Sequence, residues 1–202
     1  MKKLTSLFLI LFFVGVGAMA QNSSGPAAMN QMLSKNVKYP AEVRAENKSG
    51  FVTLSISMDD SGYPMGKPTV YSSHEKLSEE ILRTFALLKE NWDPSFLDGK
   101  KTGEEYLMTF EFRLSQGGEF IKNPLTKYKT PEKVDHLAVL NKAIEENPYS
   151  SKLYHERGEY YQMIGENWLS KLDFNQSTFL KNQEITHVVI VGYGASNHPK
   201  SL

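Results

Sequence analysis

The side chains best suited to proton transfer or metal ligation near neutral pH are the five histidines, His74, His136, His155, His187 and His198. They are scattered, and no pair has the spacing that brings two imidazoles onto one metal ion. Four acidic doublets follow the same pattern: Asp59-Asp60, Glu79-Glu80, Glu104-Glu105 and Glu145-Glu146. Paired carboxylates do acid–base work only in a cleft that separates their pKa values. Adjacency in sequence supplies no such cleft, because neighbours on a strand point to opposite faces and helical doublets are usually solvated. No G-x-S-x-G, P-loop or H-E-x-x-H motif occurs. Gly192-Tyr193-Gly194 is a G-x-G with no helix after it, so it does not make a phosphate loop. The expectation is a protein that is not an enzyme, with no catalytic residues, no cofactor and no metal.

The composition excludes further classes. The 202 residues contain no cysteine, which removes disulfide scaffolds, thiolate zinc sites, cysteine nucleophiles and acylated-cysteine anchors. Lys+Arg and Asp+Glu are equal at 23 each, with no basic block, so there is no electrostatic footprint for nucleic acid. At 40% hydrophobic and 11% aromatic, the chain has enough apolar material to build a core.

The elements that would position any binding site begin after an address. Residues 1–20 carry Lys2 and Lys3, an apolar run from Leu7 to Val16, and Ala18-Met19-Ala20 ahead of Gln21. This is the pattern of a cleavable signal peptide, and it implies a periplasmic protein. The alternative is a retained inner-membrane anchor, although the run falls short of the about 20 predominantly apolar residues that a spanning helix needs. Residues 21–28 read as a short linker.

Met29, Met32 and Leu33 then mark one stripe of a short helix over 27–37, which Tyr39-Pro40 ends. Val52, Leu54, Ile56 and Met58 alternate with polar residues, the period of a half-buried strand. Asp59-Asp60-Ser61-Gly62 is turn chemistry, and Pro68 places a second strand, 67–72, at a sheet edge. Leu77, Ile81, Leu82, Phe85 and Leu88 form one face of a helix over 76–91. A last strand over 104–114 alternates Tyr106, Met108, Phe110, Phe112 and Leu114 with Leu107, Thr109, Glu111 and Arg113. Together these predict an α+β unit with an antiparallel sheet and packed helices over 29–116. After a linker at 117–131 the period changes to helical over 132–182, and an apolar strand-like tail covers 183–202.

The first unit resembles the C-terminal domain of TonB, the energy transducer of Gram-negative outer-membrane transport. The resemblance rests on Tyr39-Pro40 before the first strand, Gly50-Phe51-Val52 opening it, and Gly62 in the hairpin. It continues through Trp92-x-Pro94 after the helix, Gly99-Lys100, and the aromatic final strand. Tyr39, Pro40, Gly50, Gly62, Trp92 and Pro94 are markers of that core and not reactive groups. The helical part is similar to a tetratricopeptide repeat. Ser151–Glu184 fits one unit of about 34 residues, with Tyr154, Gly158, Tyr161 and Gly165 in the expected places. It departs from that pattern at Ser170, where alanine is usual, and at Asn182, where a proline should close the unit. Such a segment serves either as a structural cap or as a partner-binding surface.

The tail residues Val188, Val189, Ile190, Val191, Gly192 and Tyr193 resemble the segment around the TonB box of starch-utilisation-type receptors. Such a box binds TonB by adding a strand to an exposed sheet edge. A β-branched run of this kind equally completes a protein's own sheet.

The TonB resemblance implies a protein-binding module in TonB-dependent transmembrane transport at the outer membrane. Its partner would be a TonB-dependent outer-membrane receptor or another TonB-like protein. The peptide-binding edge is expected on the last strand, at Tyr106, Met108, Phe110, Phe112 and Leu114. The alternative is an envelope adaptor or structural protein whose repeat-like helices hold a partner, with Tyr154, Tyr160 and Tyr161 as contact aromatics. A TonB transducer also needs a long periplasmic linker. The six residues Gln21–Pro26 reach only roughly 20 Å at about 3.5 Å each, too short for the domain to pull across a periplasm.

Overall fold

The computed structural model describes residues 24–115 and 135–193. The signal segment, the 117–131 linker, His198 and Gly194 lie outside the described residues. Among the described residues no helix is long and apolar enough to cross a membrane.

The first helix, α1 (Pro26–Asn36), starts inside the stretch expected as linker. Its start is encoded by Pro26 in the first turn, where a missing N–H costs nothing. Met29 and Leu33, four residues apart, are buried. Pro40 then opens a five-residue helix, α2 (Ala41–Ala45), which buries Val43 and had no sequence signal long enough to announce it.

Strands β1 (Gly50–Met58) and β2 (Pro64–Ser72) form an antiparallel hairpin. Asp59 holds its turn, accepting the N–H groups of Ser61 at 2.9 Å and Tyr63 at 2.8 Å. Gly62, at φ 83°, takes the left-handed position that only glycine fills cheaply. As Pro68 required, β2 is an outer strand.

Helix α3 (Glu75–Glu90) buries Leu77, Ile81, Thr84, Phe85 and Leu88; Leu82, expected on that face, is exposed. His74 is its N-cap, with Nδ1 accepting the Lys76 N–H at 3.2 Å. Beyond α3, Trp92 closes the core: its indole N–H donates to the Gly62 carbonyl at 2.8 Å and its ring meets Phe96 edge-on. The following residues wind into a 3-10 turn (Pro94–Leu97), with the Asp93 carboxylate accepting the Ser95 N–H. The Trp92–Gly62 bond ties the hairpin turn to the end of α3. Trp92→Phe should therefore destabilise the fold by about 1–3 kcal/mol, the cost of leaving a buried carbonyl unpaired. Urea unfolding monitored by far-UV circular dichroism would check this.

The last strand of the first unit is β3 (Glu105–Ser115). Three helices follow: α4 (His136–Glu146), α5 (Ser151–Met163) and α6 (Asn167–Gln183). Helix α6 runs directly into β4 (Glu184–Tyr193). The sheet order is β2-β1-β3-β4, and β4 pairs parallel to β3. Within 29–116 the three strands are antiparallel, as expected, and β4 adds a parallel strand that makes the whole sheet mixed. The physical reason is the connection. Parallel strands need a crossover, and the helices between β3 and β4 supply it.

The two faces of the sheet are covered by different helices. Val52, Leu54, Ile56, Met58, Tyr106, Met108, Phe110 and Phe112 pack with α1 and α3 into one core. On the opposite face Thr53 and Thr109, paired across β1 and β3, are also buried, as are Ser55 and Leu107. β1 is thus buried on both faces and not half-buried as its alternation suggested. Helix α6 packs against β3 and β4 on this second face, and the α4–α5 turn reaches β2 through Tyr149 and Tyr71.

Those helices are held together by close packing and by a polar cluster. Gly158 of α5 lets the Phe174 ring of α6 approach so closely that an added Cβ would lie 2.9 Å from it. The Arg157 guanidinium forms a bidentate pair with Asp173 at 2.7 and 2.8 Å and reaches Asn141 of α4 at 2.9 Å. The rings of Tyr154 and Tyr161 lie 5.6 and 5.8 Å from the Arg157 guanidinium carbon. Two of the three tyrosines expected as partner contacts are therefore engaged internally, and Tyr160 lies beside His136. Ser170, Asp173 and Ser177 are buried on α6, while Trp168, Leu172 and Phe179 are exposed.

Candidate functional site

The five β3 residues expected at a peptide-binding edge are not a side-chain docking surface. Tyr106, Met108, Phe110 and Phe112 are all buried in the core and Leu114 is half-buried. Any edge that β3 offers is its backbone. One side of that backbone pairs with β1, from Glu105↔Ser57 to Phe112↔Gly50. The other side is occupied. Met108↔Thr186, Phe110↔Val188, Phe112↔Ile190 and Leu114↔Gly192 are in parallel register with β4. The expected open edge is therefore covered by the chain's own tail.

The alternation of β4 decides how the tail is held. Ile185, Val188 and Ile190 pack part-buried against the core. The Thr186 hydroxyl meets the side-chain oxygen of Asn30 on α1 at 2.6 Å. Val189, Val191 and Tyr193 are exposed, with Tyr193 at 73%. His187 lies between two carboxylates, Glu111 of β3 at 3.1 Å and Glu184 at 3.7 Å. Glu111 is also bonded to Arg113. Among the described residues the outer backbone edge of β4 has no further strand, so β2 and β4 are the two edges of the sheet described.

The family-marker residues fall at both ends of the sheet: Tyr39 and Gly50 lie at the Phe112 end, and Gly62, Trp92 and Pro94 lie together at the hairpin turn. The Tyr39 ring packs edge-on to Phe112 with centroids 5.3 Å apart, and its hydroxyl donates to the Lys48 carbonyl at 2.5 Å. Burial pushes the Tyr39 phenol above its ordinary pKa. Pro40 caps α2, and Pro94 begins the 3-10 turn. At Gly50 a Cβ would lie 2.7 Å from Leu77, so β1 and α3 meet there backbone to side chain. Gly192 does the same for the tail: a Cβ would lie 2.6 Å from the Tyr39 ring.

The close approach at Gly192 is the contact that sequence reasoning missed. The signal for it was a glycine inside a β-branched run, which marks either a bulge or a close approach of another group. Gly192→Val should force the Tyr39 ring aside and loosen the C-terminal half of β4, at an overpacking cost of about 1–3 kcal/mol. Backbone amides of residues 188–193 should then exchange with solvent faster than in the parent chain, while those of β1 stay protected.

The remaining histidines have local roles. His74 caps α3, and His155 lies 3.6 Å from Glu159 on the same helix. Among the described residues no group of three or more His, Cys, Asp or Glu side chains is placed to hold a metal ion.

Residues 35–114 match the family model described as Gram-negative bacterial TonB protein C-terminal. That span takes in the end of α1, the β1–β2 hairpin, α3 and β3 to Leu114, and it stops before the three-helix crossover and β4. No curated protein and no solved structure matches the chain. The match covers the strands and helices that build the main core, so what this chain shares with the TonB C-terminal family is the domain over residues 35–114.

Proposed function

We propose that this chain is a protein-binding module of TonB-dependent transmembrane transport at the outer membrane. It works in the periplasm after export by its N-terminal signal. Its TonB C-terminal domain takes an extended peptide by strand addition along the second backbone edge of β3. The partner is a TonB-dependent outer-membrane receptor or another TonB-like protein. One observation carries this reading: the edge already accepts a parallel strand, β4, whose sequence is similar to the receptor segment it would take. Strand addition draws affinity from main-chain hydrogen bonds and specificity from alternate side chains. On β4 those alternate positions are Ile185 or Thr186, Val188 and Ile190. In this reading the tail is a built-in competitor that a partner displaces.

A second reading is favoured by a separate observation. Met163 and Trp168, on either side of the α5–α6 turn, are 73% and 69% exposed. With Leu169 and Leu172 nearby in sequence they form an apolar surface of the kind that marks protein contacts. This supports an adaptor that holds a partner through its tetratricopeptide-like helices.

Titrating the isotope-labelled chain with a receptor-box peptide separates the two. Strand addition should shift the amides of Leu107–Ser115 and release the β4 amides. Shifts confined to the Trp168 indole and its neighbours would establish the adaptor reading instead. A peptide with proline at alternate positions, which cannot donate to the ladder, should lose its effect on β3.

A further inference from the structure

A cavity of about 470 Å³ opens between the second face of the sheet and the crossover helices, beside the start of the β3–β4 ladder, where Leu107 pairs with Glu184. Its volume falls within the about 300–1,000 Å³ of small-ligand pockets. Its floor is apolar, formed by Leu107 of β3 and Leu180 of α6, both buried. Aromatic rings stand around that floor. The rings of Tyr71 of β2 and Tyr149 of the α4–α5 turn meet tilted, with centroids 4.2 Å apart, and Phe179 of α6 stands beside the opening, 56% exposed.

The charged groups of the cavity share one sign. Glu104 and Glu105 both line it, while none of its lining residues is lysine, arginine or histidine. Glu104 is partly offset by Lys101, 3.7 Å away on a largely exposed side chain. Glu105 accepts a hydrogen bond from the Ser55 hydroxyl and has no basic partner among the described residues. The Tyr149 hydroxyl is pushed up to about 12, first by its hydrogen bond with Tyr71, then by burial and by nearby charges that include Glu105. The Tyr149 ring is thereby kept neutral and electron-rich.

An uncompensated carboxylate beside aromatic faces and an apolar floor is complementary to a cation on a short apolar stem. The ring faces attract the charge through their quadrupoles, and the carboxylate pairs with it directly. We propose that this cavity binds an ammonium or guanidinium group on a short aliphatic stem, with Glu105 as the counter-ion and Tyr149 and Phe179 as the walls. The group comes from a free amine or from a lysine or arginine side chain of a protein. This site is distinct from the β3 backbone edge: it is built from side chains of the second sheet face, the α4–α5 turn and α6, although Leu107 also pairs with Glu184 of β4.

The test uses the full chain and three probes: Nα-acetyl-lysine methylamide, the matching norleucine compound, and n-pentylamine. Binding is read from the ring signals of Tyr71, Tyr149 and Phe179 in nuclear magnetic resonance titrations. The lysine compound should shift these signals and bind at least about tenfold tighter than its uncharged norleucine isostere. Glu105→Gln, which keeps an acceptor for Ser55, should weaken the lysine compound several-fold and leave norleucine unchanged. Phe179→Ala removes an exposed ring without touching the core and should also weaken lysine binding. Equal binding of lysine and norleucine, or a Glu105→Gln chain that binds as the parent does, would overturn the proposal. Pentylamine distinguishes the sources. Binding as tight as the lysine compound points to a free amine, and weaker binding points to a protein side chain.

Discussion

Deleting residues 183–202 should raise the affinity of the chain for an extended receptor peptide at least about tenfold. The size of the effect follows from how fully β4 occupies the edge. A peptide competing with a tethered strand sees its affinity reduced by the fraction of time that the edge is free. A tail docked about 90% of the time costs tenfold, and one docked about 99% costs a hundredfold. The tether itself supplies an effective concentration on the order of millimolar, so even a weakly pairing tail competes well. The contacts of β4 favour the higher end, because Ile185, Val188 and Ile190 add apolar burial to the backbone ladder. Isothermal titration at low protein concentration would measure the change. The low concentration matters, because the deletion leaves a bare strand edge that invites association between chains. Gly192→Val in the full chain should fall between parent and deletion. Unchanged or abolished binding in a deletion that retains its near-ultraviolet circular dichroism would sink the displaced-strand reading.

Asp173→Ala should destabilise the helical layer by about 3–5 kcal/mol, the usual cost of removing one partner of a buried ion pair. The Asp173 side chain is 7% exposed and Arg157 19%, so little water is available to replace the lost carboxylate. The hydrogen bond to Asp173, ahead of any other cause, raises the Arg157 pKa, which keeps the guanidinium charged and in need of a partner. Arg157 also holds Asn141, so the loss reaches α4, α5 and α6 together. Asp173→Asn, which keeps the shape and one acceptor, should cost less. Thermal unfolding followed at helical and aromatic wavelengths would show the difference. The same variant should loosen β4, because α6 leads into it without a loop. A rise in receptor-peptide affinity alongside the stability loss would show that coupling.

The parts legible in the sequence were those set by local periodicity. The alternation through Val52–Met58 and Tyr106–Leu114 marked two strands, and the apolar spacing from Leu77 to Leu88 marked a helix. The order of Tyr39-Pro40, Gly50, Gly62 and Trp92-x-Pro94 pointed to the family. What stayed hidden was set by pairing over long distances. Alternation says which side chains share a face but not which strand lies alongside, so the parallel seat of β4 on β3 could not be told from a free tail. Burial of Thr53 and Ser55 was equally hidden, since polar residues on a strand normally face water and here meet a second layer of helices. Helix α6 inverts the usual pattern, with Ser170, Asp173 and Ser177 inside and Trp168 and Leu172 outside. Its inner face is satisfied by Arg157 and by close packing at Gly158, neither of which periodicity reveals.

The three-helix crossover also dictates an order of assembly. The β1–β2 hairpin and the β1–β3 pair close over short or moderate stretches of chain, whereas β3 and β4 meet only after α4, α5 and α6 have been threaded between them. Contacts of high sequence separation form late, because the loop entropy has to be overcome before they contribute. A nascent chain therefore completes its TonB-type core while the tail is still unmade. For that interval the edge of β3 is bare, and whatever strand is present first, the chain's own or a neighbour's, has the first opportunity to take it.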